Sequence, residues 1–119
     1  MITGIGMDII ELKRIERIIA KNDKFILRIL TPQEREFFSR LGASRKLEYA
    51  GGRFAAKEAF AKAYGTGISG RCGFHDIEIL TGASGRPYIH APWLNCSVHV
   101  AITHSKDYAA AQVIIEKTE

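Results

Sequence analysis

GRFAAKEAFAKAYGTG, residues 52–67, is the stretch that decides the fold. Between its flanking glycines the run is rich in strong helix formers, and Gly65 followed by Gly67 supplies the stop signal expected just past a helix C-terminus. At about 100° per residue its apolar side chains surround most of the helix, which is typical of a buried helix. The sequence therefore predicts a central helix that ends near Tyr64.

Four charged residues interrupt this apolar run, at Arg53, Lys57, Glu58 and Lys62. Because unpaired charge is costly to withdraw from water, each residue needs a partner or a function. Glu58 and Lys62 are four residues apart, and the simplest interpretation is an ion pair worth a few tenths of a kcal/mol. Their apolar surroundings and a second carboxylate near the N-terminus favour a functional role.

That second carboxylate is Asp8, in a stretch that alternates as a strand does. In residues 2–10, one face of the strand carries Ile5, Met7 and Ile9. The opposite face carries Gly4, Gly6 and Asp8. Glycine inside a strand often marks close approach by a ligand or another backbone, so Asp8 could meet a bulky anion through a metal. The alternative is that Asp8 caps the helix that follows.

A basic helix is predicted from Glu11 onward, where an apolar stripe has helical spacing. If the helix continues far enough, one other side carries Arg14, Arg17, Lys21 and Lys24, with Ile18 and Phe25 at its edge. Such a run is usually a solvated face. Interleaved apolar residues suggest instead a docking surface for an acidic helix, on which charges steer and apolar side chains anchor.

The remaining segments complete an α+β pattern. Thr31-Pro32-Gln33-Glu34 is a capping box that starts a helix ending near Gly42, and Ser44 is a candidate cap for the segment leading into the central helix, which Gly51-Gly52 could break or bend. Strands are predicted at residues 74–80, 87–90, 98–103 and 108–115, with a turn at 82–85. We expect an antiparallel sheet packed against a long central helix, in a single domain of residues 1–119.

The turn at residues 104–107 holds His104, Ser105 and Lys106 together. A histidine at a strand end is usually a surface residue, but a hydroxyl and two potential cations in one loop also suit phosphate binding.

Composition narrows the classes of protein. The 119 residues are 46% apolar and 25% charged, as in an ordinary globular domain, and the net charge of +4 favours an anionic partner. No apolar run approaches the ~18 residues of a membrane span, and the start does not resemble a signal peptide, so we expect a cytoplasmic protein without a membrane partner. Cys72 and Cys96 lack metal-site spacing and are expected to be free thiols.

Taken together, these residues resemble the holo-acyl-carrier-protein synthases, the small group of phosphopantetheinyl transferases. The resemblance rests on GIGMDI at residues 4–9, GRFAAKEAFAKAYGTGI at 52–68 and ITHSKDYAAA at 102–111. It implies the phosphopantetheinyl transferase fold and transfer of 4'-phosphopantetheine from coenzyme A to a serine of apo-acyl carrier protein. Adenosine 3',5'-bisphosphate is released, and the holo-carrier serves fatty acid biosynthesis.

The resemblance also implies roles for individual residues. Asp8 and Glu58 would bind Mg²⁺ with the coenzyme A pyrophosphate, Lys62 would steady the leaving phosphate, and Glu58, directly or through a metal-bound water, would accept the serine proton. The coenzyme A contacts would come from Arg53, Lys62, Gly65, Pro87, His104 and Ser105. Many members of the family carry Thr at the position of Ser105, and both hydroxyls can donate to phosphate.

For partners, the resemblance implies a homotrimer with an active site at each subunit boundary. It also implies that the basic helix docks acyl carrier protein through Arg14, Arg17, Ile18, Lys21 and Phe25.

Two other classes stay open at this stage. A nucleic-acid binder would fit the basic charge, although no strand is studded with aromatic residues and the two carboxylates would repel phosphates unless a cation intervened. A different Mg²⁺-dependent phosphotransferase or nucleotide hydrolase would fit the carboxylates. The sequence contains neither GxxxxGK[ST] nor a helix-opening GxGxxG, and the choice of coenzyme A over another nucleotide rests on the resemblance.

Overall fold

The computed structural model describes residues 1–118 and has the α+β fold predicted from the sequence. Its strands are β1 (Ile2–Glu11), β2 (Glu78–Thr81), β3 (Pro87–His90), β4 (Ser97–His104) and β5 (Tyr108–Glu116). Its helices are α1 (Leu12–Lys21), α2 (Lys24–Ile29), α3 (Pro32–Ser39) and α4 (Ala43–Tyr64), with a short 3₁₀ turn at Phe74–Asp76. One antiparallel sheet has the order β1-β5-β4, and β2 pairs with β3.

Helix α4 is the long central helix, and its end at Tyr64 is confirmed. Gly65 adopts a left-handed conformation with φ of 105°, and its N–H donates to the carbonyl of Ala61, as the stop signal predicts. Gly51 and Gly52 do not break the helix. A Cβ at these positions would press on Leu12 and Ile102, so both glycines allow α4 to lie close to α1 and the sheet.

The structure contradicts the prediction that a ligand approaches the glycine face of β1. The glycine face is not bare, because a Cβ built on Gly4 or Gly6 would overlap the carbonyl oxygen of Ala63 or Ala59 in α4. The close approach is therefore that of a helix backbone and not of a ligand. The apolar face is the exposed one, with Ile5, Met7 and Ile9 all more than half exposed.

The first helical region differs from the single basic helix that the periodicity predicts. Helix α1 ends at Lys21, and a new helix begins at Lys24, because Asn22 is fully extended. Lys24 and Phe25 thus belong to α2. Asp8 does not cap α1, whose N-cap is Glu11 without a side-chain hydrogen bond.

The capping box at the start of α3 is confirmed. The Thr31 hydroxyl accepts from the N–H of Glu34, and the Glu34 carboxylate accepts from the N–H of Thr31. The helix ends at Ser39, three residues before the predicted limit at Gly42, and Gly42 rather than Ser44 is the N-cap of α4.

The predicted strand at residues 74–80 is wrong in its first half. The carboxylate of Asp76 accepts a hydrogen bond from the N–H of Gly73, which closes the 3₁₀ turn, and the strand proper begins at Glu78. The hairpin turn at residues 82–85 is confirmed by the bonds from Gly82 N–H to Arg86 and from Gly85 N–H to Gly82.

The core surrounds α4, and the three-stranded sheet, α1, α2 and β2 all contribute side chains to it. Its fully buried side chains include Ile15, Ile29, Phe60, Ile79 and Val113. Among residues 1–118, no helix is both long enough and apolar enough to span a bilayer.

The contact between β1 and α4 gives a stability prediction. Gly6→Ala should lower the free energy of unfolding by about 3 kcal/mol, because the new methyl group must displace the α4 backbone and not a flexible side chain. Urea titration followed by circular dichroism measures the loss. Gly70→Ala is the matched control, since a Cβ there meets nothing within 4 Å. Equal stability of the two variants would contradict the close contact.

Candidate active site

Asp8 and Lys62 meet at the junction of β1 and α4. The Lys62 Nζ lies 3.1 Å from Asp8 Oδ1 and 3.0 Å from the Met7 carbonyl oxygen. The Asp8 side chain is mostly buried, whereas that of Lys62 is half exposed. The predicted withdrawal of Lys62 from water is thus wrong, and within residues 1–118 its ion-pair partner is Asp8 and not Glu58.

Glu58 lies one helical turn before Lys62 and is partly buried. Its pKa is raised above the ordinary 4.5, first by burial and then by the negative charge of Asp8, and the cations Lys62 and Arg28 oppose the rise. The repulsion shows that the two carboxylates share one electrostatic environment. The structure therefore brings together Asp8, Glu58 and Lys62, the three residues for which the sequence predicts a catalytic role.

This pair of carboxylates fits a hard divalent cation. Mg²⁺ in nucleotide sites typically takes one or two carboxylates and completes its shell with phosphate oxygens and water. No cluster of three or more His, Cys, Asp or Glu side chains suited to a metal exists within residues 1–118, so a closed all-protein site is not formed there. A cation would also remove the repulsion that raises the Glu58 pKa.

A groove of about 510 Å³ runs from α1 and α2 to Glu58. We call it the docking groove, and its lining includes Arg14, Ile18, Lys21, Phe25, Arg28, Phe54, Glu58 and Phe74. Four of the five residues predicted to dock a carrier protein thus line one groove with a predicted metal ligand. The fifth, Arg17, is exposed on α1 but is not among the groove residues.

A second cavity, of about 440 Å³, is lined by three of the predicted coenzyme A contacts but not by Ser105 or Gly65, and is called the basic cavity below. Arg53, Pro87 and His104 line it, together with Arg45, which sequence reasoning missed. The exposed position of Arg45 at the start of α4 carries no sequence signal; only the fold turns it toward His104.

Arg53 is held rigidly at the wall of the basic cavity. Its guanidinium lies 4.3 Å from the centre of the Tyr49 ring and makes long contacts to the Ile79 carbonyl and the Thr81 hydroxyl. Burial lowers the pKa of Arg53, and its buried Nε atom has no hydrogen-bond partner within residues 1–118. An orphaned, desolvated cation of this kind is suited to binding an anion.

His104 and Ser105 are also fixed by neighbours. The His104 Nδ1 lies 3.4 Å from a carboxylate oxygen of Glu48. The Ser105 hydroxyl oxygen accepts from the backbone N–H groups of Asp107 and Tyr108, which leaves its proton free to donate elsewhere.

The residues proposed for coenzyme A fall into two separate places. The residues that line the basic cavity do not include Asp8, Glu58 or Lys62. Glu58 lines the docking groove, and Arg53 does not. Arg53 and Glu58 are five residues apart on α4, so their side chains point about 140° apart around the helix. Gly65 ends α4 and lines neither cavity.

Comparison with known proteins identifies the class. The family model of the 4'-phosphopantetheinyl transferase superfamily matches residues 4–113, and the chain belongs to that superfamily. A holo-[acyl-carrier-protein] synthase from Geobacillus is 55% identical over 98% of both chains. One from Shouchella clausii is 56% identical over 98% of this chain and 99% of the relative. The sequence resemblance is therefore confirmed.

Solved structures agree with the sequence relatives. A holo-(acyl-carrier-protein) synthase from Bacillus anthracis, described in complex with coenzyme A (3',5'-ADP), matches with a TM-score of 0.93 and 48% identity over 99% of both chains. The synthase from Neisseria meningitidis matches with a TM-score of 0.90 and 42% identity, over 98% of this chain and all of the other.

The raised pKa of Glu58 predicts a pH-dependent gain in stability for Glu58→Gln in EDTA. Because the fold favours the neutral carboxyl, wild-type protein loses stability as pH rises from the ordinary value of 4.5 through the raised pKa. The variant should therefore melt a few degrees higher than wild type at pH 7.5, and the difference should vanish below pH 4.5.

Thermal melts at several pH values measure this difference, with Glu16→Gln, an exposed carboxylate on α1, as the matched control. A variant that melts below wild type at pH 7.5 would contradict the electrostatic assignment.

Proposed function

We propose that the protein transfers 4'-phosphopantetheine from coenzyme A to a serine of apo-acyl carrier protein. The products are holo-acyl carrier protein, which serves fatty acid biosynthesis, and adenosine 3',5'-bisphosphate. The observation that carries the proposal is the grouping of Asp8, Glu58 and Lys62, of which Glu58 lines a groove with several cations, in a chain of this superfamily. Its two free cysteines, Cys72 and Cys96, agree with a location in the reducing cytoplasm.

Asp8 and Glu58 are the residues that we propose hold Mg²⁺. The bound cation would offset the charge of the coenzyme A pyrophosphate, and hard carboxylate oxygens are the ligands it prefers. Lys62 already lies against Asp8 Oδ1 at 3.1 Å with its half-exposed ammonium, so it can move to a phosphate oxygen at little cost.

The transfer itself is an in-line displacement. The carrier serine oxygen forms a bond to the phosphorus nearer pantetheine, and the bond from that phosphorus to the bridging oxygen breaks. Glu58 accepts the serine proton, directly or through a water. Lys62 stabilises the negative charge that develops on the leaving phosphate.

The basic cavity is proposed to bind the adenosine end of coenzyme A. Arg53 with its unpaired Nε, the His104 ring and the Ser105 hydroxyl supply donors for the 3'-phosphate, and Pro87 lies on the side of the adenine. The positive charge of Arg45 in the same cavity adds to this preference for a phosphate.

The docking groove is proposed to receive the acyl carrier protein. Arg14 and Lys21 would attract its acidic helix, while Ile18 and Phe25 would anchor it. Because Glu58 lies in the same groove, a carrier docked there brings its serine to the proposed base. Arg17, which lies outside the groove, is left with a steering role.

We also propose that the protein acts as a homotrimer. One subunit turns its docking groove and its basic cavity in different directions, so a second subunit is needed to supply the other half of one coenzyme A site. The open face of the sheet offers the contact surface. Ile5 pairs with Ile114, Met7 with Gln112 and Ile9 with Ala110, and all of these side chains point away from α4.

The central test is the intact mass of apo-acyl carrier protein after incubation with this protein, coenzyme A and Mg²⁺. We expect a gain of about 340 Da, the mass of one phosphopantetheine group, that is lost in EDTA and in Asp8→Ala. Glu16→Gln is the matched surface control and should retain the gain. No gain with several carrier proteins would contradict the proposal and point to another diphosphate substrate for the same carboxylates.

The assembly is tested with Ile5→Glu. Its exposure of 58% means that the charge should not unfold a single subunit, but it would be buried in a contact between sheet faces. Light scattering should show wild-type particles of about three times the 13.2 kDa chain mass and smaller variant particles with little transferase activity. Leu27→Glu, an equally exposed apolar position on α2, controls for the added charge. An unchanged mass for Ile5→Glu would rule out this face as the contact.

A further inference from the structure

Lys57 is the one charged residue of the central stretch that the proposed reaction does not use. Its side chain is fully buried, and its Nζ donates to the Glu34 carboxylate at 2.6 Å and to the carbonyls of Ile29 and Phe74 at 2.7 and 2.9 Å. An ammonium has three hydrogens, so these bonds use all of them. Lys57 is therefore not available to a substrate.

The Glu34 side chain is also fully buried, and both of its carboxylate oxygens accept hydrogen bonds within the protein. Its Oε1 also accepts from the Thr31 N–H, and its Oε2 accepts from the Ile79 N–H, both at 2.8 Å. A buried charge pair is tolerated only when its remaining hydrogen-bonding capacity is filled, and this pair meets that condition. Through its partners it joins α2, α3, the 3₁₀ turn and β2 to the middle of α4.

Two partners of Lys57 belong to elements that form the docking groove. Ile29 ends α2, the helix that carries Phe25, and Phe74 itself lines the groove. Lys57 immediately precedes Glu58 on α4. One buried ammonium thus fixes the carrier-binding side of the groove relative to the carboxylate at its end.

We propose that Lys57 and Glu34 form a positioning pair for the transfer reaction, an inference that rests on the function proposed above. The pair sets the distance between a docked carrier and Glu58, so that the carrier serine meets the phosphorus in line. Stability alone does not require charges here, because apolar residues of similar volume often replace a buried ion pair without loss. Apolar residues could not hold the carbonyls of Ile29 and Phe74.

The test is the double variant Lys57→Met/Glu34→Gln, which removes both charges together and leaves no unpaired buried ion. We expect kcat to fall about 100-fold, because displacement of reacting groups by about 1 Å has that effect. The KM for the carrier should rise several-fold, while the KM for coenzyme A should stay within about twofold because neither Lys57 nor Glu34 lines the basic cavity. Calorimetric titration with apo-carrier should show the same weakening without turnover.

The exposed ion pair between Glu36 and Arg40 on α3 provides the matched control. Glu36→Gln/Arg40→Met should leave kcat and both KM values unchanged. Circular dichroism at the assay temperature gives the folded fraction. A purely structural role would lower kcat only in proportion to that fraction and would not alter the carrier KM.

The outcomes separate the two proposals. A wild-type protein without transferase activity would overturn the proposed function and the positioning pair together. If the wild type is active and the folded double variant keeps its kcat and its carrier KM, only the proposed positioning pair is overturned. If the double variant does not fold, the single variant Lys57→Met decides, because it releases the carbonyls of Ile29 and Phe74 while Glu34 keeps its bonds from the N–H groups of Thr31 and Ile79; unchanged kinetics in that variant would overturn the pair as well.

Discussion

The structure depends on the close contact between the backbone of β1 and the backbone of α4. Gly4 and Gly6 leave room for the carbonyl oxygens of Ala63 and Ala59, which no larger residue would allow. The strand and the last two turns of the helix therefore lie closer than side chains normally permit. The result is a short connection from Asp8 to Lys62.

This contact links the energetics of the fold to the chemistry of the site. Two carboxylates and one ammonium are held near each other by backbones that cannot move apart, so the repulsion between Asp8 and Glu58 is not relieved by rearrangement. The fold keeps this unfavourable charge arrangement, which a divalent cation with a bound pyrophosphate would relieve. Stability lost in the free protein would thus become affinity for the proposed cation and its anionic ligand.

Much of the fold was predictable because its signals are local. The helix formers of residues 52–64 with Gly65, and the capping box at Thr31, predict helix limits that depend only on neighbouring residues. The break at Asn22 and the 3₁₀ turn at Phe74 were missed because the side chains of Asn22 and Asp76 accept bonds from nearby backbone N–H groups and interrupt an apparently continuous pattern. The alternation of β1 was read correctly, but its buried side was not, since only the fold shows that α4 covers the glycines.

The candidate site was also only partly predictable from the sequence. Asp8, Glu58 and Lys62 could be chosen because charges are conspicuous in apolar or glycine-rich surroundings. Lys57 stood out equally, yet its partner could not be found, because Glu34 lies 23 residues away and already had a local explanation as a capping residue. Arg45 carried no signal of any kind.

The geometry of α4 supports the proposal that two subunits form each active site. Five residues separate Arg53 from Glu58, which is only about 7.5 Å along the helix but about 140° around it. The helix body and the strands packed on it therefore stand between the basic cavity and the carboxylates. In the proposed trimer, a coenzyme A molecule bound at both ends would use Arg53 of one subunit and Glu58 of another. The same helix would thus serve two active sites, and the residues between them, Lys57 among them, would couple the sites mechanically.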